Sequence, residues 1–159
     1  MNGGIIPSLM LSATIALLLS FTTGRAAWLG VAGMAATAFV LALVAFPQSL
    51  SPAIFISVWG TIIVAAVLIY LPPSNAQRWS IPVAVAAGAS IGALSSLSGR
   101  KSDLLALPIS LLFVPGRWIV ARGYGLGIKI AGSWMISIAL LSAFVSLTPT
   151  PGYKPDHME

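Results

Sequence analysis

Apolar runs of close to twenty residues, each closed by a short cluster of proline, glycine, hydroxyl or charged residues, organise this chain from end to end. An α-helix rises about 1.5 Å per residue, so roughly 20 apolar residues cross the ~30 Å hydrocarbon layer of a bilayer. The first run is Ile5 to Phe21, ended by Thr22-Thr23-Gly24-Arg25. Met1-Asn2-Gly3-Gly4 ahead of it has no Lys or Arg, and no convincing small-x-small cleavage site follows, so this run reads as a retained span. The second, Ala26 to Phe46, meets Pro47-Gln48-Ser49-Leu50-Ser51-Pro52, where proline stops a helix on both sides and turns the chain into a hairpin. Ala53 to Leu71 is the third, closed by Pro72-Pro73-Ser74-Asn75, with Tyr70 and Trp79 placed as interface anchors. Ile81 to Leu97 is the fourth, and its stop, Ser98-Gly99-Arg100-Lys101-Ser102-Asp103, is too charged for hydrocarbon. The last span is Leu126 to Thr148, where Lys129 can snorkel to the headgroups. Residues 149–159 make a short polar, proline-rich tail.

The stretch from Leu104 to Val120 fits the pattern less well. Pro108 and Pro115 each remove a backbone donor and invite a kink, while Ser102 or Asp103 can cap its start. It reads as a short or proline-broken segment that crosses thinly, dips and returns, or lies at the interface. Its path decides the orientation. If it crosses, Arg25, Arg78, Arg117, Arg122 and Lys129 share one side against Arg100, Lys101 and Lys154; if it does not, Arg100 and Lys101 exchange sides with Arg25 and Arg78. The bias is five to three either way, and the length of the segment favours six spans over five. The expected architecture is therefore all-α: one polytopic transmembrane bundle over residues 1–148, with helices at about 5–21, 26–46, 53–71, 81–97, 104–120 and 126–148.

Composition agrees with the pattern. Of 159 residues 58% are hydrophobic and only 7% charged, with mean hydropathy +0.99. A soluble domain of this length carries about a quarter of its residues as charges to wet its surface. The net charge of +5 falls between the apolar runs, so its natural counterpart is anionic lipid headgroups, and nucleic acid is not an expected partner. The plasma membrane of a bacterium, its inner membrane, is the expected location. The absence of cysteine removes disulfides, thiolate metal sites and thiol catalysis.

Small residues specify packing. Ala84, Gly88, Gly92 and Ser96 recur every fourth position of the fourth helix and put four low side chains on one face. Helices in lipid associate through such faces by close van der Waals contact. Gly30, Gly33 and Thr37 do the same on the second helix. The pattern suits contacts within the monomer more readily than a dimer seam, and it predicts the fourth helix at the centre of the bundle.

Candidate chemistry is sparse. Ion-coupled carriers hold an ionisable group at mid-membrane, and no Asp, Glu or His falls within a clear span. Asp103 sits in a charged turn, where a cap or surface ion pair accounts for it. His157 belongs to the tail, and no metal or cofactor site is expected. Serine is abundant, yet no buried base is available to activate it. The densest feature runs from Pro115 to Lys129, where Arg117, Arg122 and Lys129 stand among Trp118, Tyr124 and four glycines. It reads as an interfacial anchor or as a hinge that grips an anion or lipid headgroup. Gly123-Tyr124-Gly125 lacks the preceding Thr-Val of a potassium filter, and Gly123-x-Gly125-x-Gly127 lacks the spacing of a dinucleotide loop.

Three roles remain open at this level. The first is a non-catalytic subunit or assembly partner of a membrane complex, associated with another membrane protein or a second copy. The second is a small uncoupled transporter or channel for an anionic or lipid-like solute, which predicts a polar cavity drawn from Ser90, Ser95, Ser96, Arg117 or Arg122. The third is a lipid-modifying enzyme holding phosphate on Arg117 and Arg122, which needs a base beside them.

Overall fold

The computed structural model describes residues 6–99 and 101–147, and among them the chain is an all-α transmembrane bundle without strands. The helices are α1 (Ile6–Leu19), α2 (Gly24–Ala42), α3 (Ser51–Leu68) after a single 3-10 turn (Gln48–Leu50), α4 (Pro73–Ser98), a long 3-10 helix (Lys101–Leu112), called the 3-10 helix below, running into α5 (Phe113–Ala121), and α6 (Gly125–Leu147). Five segments are long and apolar enough to cross a membrane, and Ser102–Ala121 is one of them; Ile6–Leu19 is the shorter apolar helix. α4 begins at Pro73 instead of Ile81, because proline suits the first helical turn, where its missing N–H costs nothing. Arg78 and Trp79 are thus helical. Gly99, with φ of 63°, caps α4 in the left-handed conformation and turns the chain back.

The 3-10 helix settles how the proline-broken segment fits. Phe113 packs edge-on against Trp28 with ring centroids 5.2 Å apart, and Arg117 Nη1 donates to the Thr22 carbonyl at 2.8 Å. At the other extreme Leu104 shares a cavity wall with Phe39 and Leu43. The segment therefore runs antiparallel to α2 along the whole of that span and crosses the bundle. Its length follows from the winding: a 3-10 helix rises about 2.0 Å per residue against about 1.5 Å for α, so twelve residues reach roughly 24 Å before α5 begins. Exposure along it repeats every third residue, as that winding requires. Leu105, Pro108, Leu111 and Val114 are exposed, whereas Leu107, Ser110 and Phe113 are buried.

α2 and α4 lie parallel in close contact. From one end to the other, Gln77 Nε2 approaches Thr23 Oγ1 at 3.4 Å, Gly30 faces Ala84, Gly33 faces Val85, Gly88 meets Met34 and Thr37, Gly92 meets Ala38, and Ser96 Oγ donates to the Val44 carbonyl. A Cβ on Gly88 would overlap the Met34 carbonyl oxygen, and one on Gly92 would overlap that of Ala38. Thr37 Oγ1 lies 2.8 Å from the Gly33 carbonyl and 3.1 Å from the Val85 carbonyl, so a hydroxyl bridges the two helices where they are closest.

The centre belongs to α1 and not to α4. α1 touches every other helix, and Leu11, Ile15, Leu18 and Leu19 are fully buried together with Ser8, Ser12 and Thr14. In lipid, apolarity does not sort inside from outside, since acyl chains are as apolar as leucine; small and weakly polar side chains mark the buried faces. Hydroxyls spread around α1 accordingly mark it as an inside helix, although Thr14 bonds only the Met10 carbonyl of its own turn and the buried Ser8 and Ser12 Oγ atoms have no partner among the described residues. Half of the α4 span is buried, mainly against α2 and α3.

Candidate functional site

Because the 3-10 helix and α5 cross, Arg25, Arg78, Arg117, Arg122 and Lys129 gather at one end of the bundle. Several contacts tie that end together. Tyr70, just past α3, donates its hydroxyl to the Lys129 carbonyl at 2.5 Å, and Gly132 lets α6 close on Ile69 and Tyr70. Gly125 packs beside Phe21 at the end of α1, and Gln77 of α4 reaches Thr23 at the start of α2. Trp28, Tyr70, Trp79, Trp118 and Tyr124 are exposed around this basic end. That is the headgroup-depth belt that amphipathic rings prefer. Asp103, the one acid among the described residues, is at the opposite end.

The five residues from the Pro115–Lys129 segment do not share one task. Arg117 is half-buried; its guanidinium bonds Thr22 and lies against Gly24, which pins α5 to the turn between α1 and α2. Gly116 makes this possible, because a Cβ there would collide with the Ser20 hydroxyl. Arg122 instead lies over the Trp118 ring with Cζ 3.7 Å from its centroid, a cation–π contact at an exposed site. Tyr124 points outward, and Lys129 is half-buried with its carbonyl taken by Tyr70. Arg117 is committed to the fold through one of its five N–H donors, while Arg25 and Arg78 are exposed. Chemically this end can attract anions, but nothing beside Arg117 and Arg122 among the described residues is a carboxylate or imidazole that could act as a base.

The serines lie elsewhere. Ser95 and Ser96 line a cavity of about 500 Å³ with Phe39, Leu43 and Leu104, toward the carboxyl ends of α2 and α4. Ser90 is buried and bonds the Ala86 carbonyl at 3.0 Å. Arg117 and Arg122 are a bundle length away, so serines and arginines do not line one polar cavity. Phe39 and Leu104 are shared with a second cavity of about 460 Å³, walled by Val31 and Ala35 of α2 and by Leu107, Pro108 and Leu111 of the 3-10 helix. Together these form an apolar cleft along α2. Nothing local in the sequence marked it, because its two walls are some seventy residues apart.

Asp103 is buried, and its Oδ2 accepts from Ser98 Oγ at 3.0 Å. Ala84, Gly88, Gly92 and Ser96 all face α2. No three His, Cys, Asp or Glu residues converge among the described residues, and His157 lies outside them. The chain is an integral membrane protein by its apolar helices, and comparison with protein-family models, curated proteins and solved structures found no match to it.

Proposed function

We propose that the protein is a non-catalytic subunit or assembly partner of a membrane complex, and that a partner's transmembrane helix docks on the outer face of α6. The observation that carries this reading is Trp134, which is 70% exposed. It stands nine residues beyond Gly125, about 14 Å along the helix and thus near the middle of a ~30 Å hydrocarbon layer. Tryptophan ordinarily sits at headgroup depth, as Trp28, Trp79 and Trp118 do here, because its N–H needs a partner that acyl chains cannot supply; Trp59, also mid-span, is buried inside the bundle with its Nε1 unpartnered among the described residues, so Trp134 is set apart by facing outward. A carbonyl or hydroxyl on a neighbouring helix would satisfy it.

The surroundings of Trp134 support the same reading. Leu126, Ile130, Leu141 and Val145 are exposed on the same face, and α6 is the least buried of the long spans. Ser133 and Ser137 turn their hydroxyls to the Ile130 and Ser133 carbonyls, leaving two low positions beside Trp134 for close approach. In a plasma membrane the excess of cations places the basic end on the cytoplasmic side.

Purification from native membranes in mild detergent tests the reading. A second chain should accompany the protein at fixed stoichiometry and be lost in a Trp134→Ala, Leu141→Ala double variant. Leu105→Ala, equally exposed but on the 3-10 helix, should keep it. A folded protein that stays monomeric and alone defeats the proposal.

A further inference from the structure

Independently of docking on α6, we infer that the cleft between α2 and the 3-10 helix binds one anionic phospholipid from the leaflet at the basic end, with its phosphate at Arg25 and Arg117 and an acyl chain along the cleft. Shape comes first. Side chains of a 3-10 helix eclipse every third residue, so Leu105, Pro108 and Leu111 form a straight exposed rail parallel to the helix axis. Across from it stand Val31, Ala35 and Phe39, one turn apart on α2, with Ala35 lowering the middle. The result is narrow, apolar and aligned with the bundle, like an extended hydrocarbon chain.

Charge supplies the polarity of the occupant. The cleft is bounded toward the basic end by the Trp28–Phe113 pair, and about one turn beyond that pair the Arg117 guanidinium lies against Gly24, with Arg25 exposed beside it. The first turn of α2 adds its own positive pole there, since Thr23 makes no side-chain cap. The only described acid, Asp103, is at the far end. From Gly24 to Ala35 is eleven residues, or about 16 Å, which matches the ~15 Å hydrocarbon depth of one leaflet. A phosphate held at Arg25 and Arg117 therefore leaves its acyl chain just long enough to lie between Val31 and Leu111 and reach Ala35. A free anion would make no use of the apolar cleft, and a zwitterionic lipid would gain little from uncompensated arginines.

Trp28 is the built-in reporter. The full chain is reconstituted in phosphatidylcholine vesicles containing a minority of phosphatidylglycerol, with bromine on the acyl chains of one lipid or the other. The quenching that belongs to Trp28 is the part lost in Trp28→Phe. Brominated phosphatidylglycerol should quench Trp28 more than brominated phosphatidylcholine at equal mole fraction. Arg25→Gln should weaken that preference about fivefold, as one surface cation near anionic lipid contributes about 1 kcal/mol. Ala35→Phe, or Leu111→Phe from the opposite wall if the first fails to fold, should abolish chain contact. Equal quenching by the two lipids, a preference that survives both the arginine and the cleft variants, or a Trp28 shielded from both lipids by protein would overturn the assignment.

Discussion

α2 meets two neighbours along its length in opposite ways. Against α4 it closes to backbone contact, since Gly88 and Gly92 let the Met34 and Ala38 carbonyls and the Thr37 hydroxyl lie directly against the α4 backbone. Against the 3-10 helix it leaves a cleft, because eclipsed rows of Leu and Pro cannot interdigitate with the i±4 ridges of an α-helix. One face of α2 is thus set by the absence of side chains and the other by their misfit. Packing without a hydrophobic drive is decided by shape, and the two faces show both outcomes on one helix.

The contrast can be broken at several points. Its all-or-none element is the crossing itself. The chain has no native cysteine, so Ser102→Cys and Tyr124→Cys, both exposed, should react with impermeant maleimide from opposite faces of sealed vesicles. Labelling from the same face would remove the antiparallel partner of α2. Next in size is Gly88→Leu, whose side chain has nowhere to go; it should cost about 3 kcal/mol or prevent folding, read by unfolding in detergent. Gly60→Ala on α3, where a Cβ meets nothing within 4 Å, should not destabilise and should gain about 0.5–1 kcal/mol from the better helix former. Similar effects from both would mean that the α2–α4 seam is not close-packed. Smaller again is Gly116→Ala, about 1–2 kcal/mol, because the Ser20 side chain can yield where a backbone carbonyl cannot; faster hydrogen exchange should be confined to α5 and the end of α1.

The same contrast explains what could be read from the chain beforehand. Glycine spacing marked a packing face on α4 and another on α2, since a four-residue repeat is visible in a single helix, but that the two faces meet each other is evident only in the fold. The course of residues 104–120 was half-legible: Pro108 and Pro115 announced broken winding, but the extra rise of a 3-10 helix has no signature in a 3.6-residue pattern. The central place of α1 was hidden, because hydropathy ranks residues by distaste for water, and no water competes here. Ser8, Ser12 and Thr14 were the usable signal. At the basic end, the gathering of five cations followed from the crossing, whereas the separate duties of Arg117 and Arg122 depend on Thr22 and Trp118, which only the folded backbone brings near.

Parallel pairing of α2 with α4 also has a consequence for biogenesis. The Gly30–Gly33 face leaves the ribosome well ahead of Gly88 and Gly92, a delay of about 3–10 s at ordinary elongation rates. For that interval the newly inserted α2 lacks its tightest mate, while α1, which precedes it in the chain, is already available to the segments that follow.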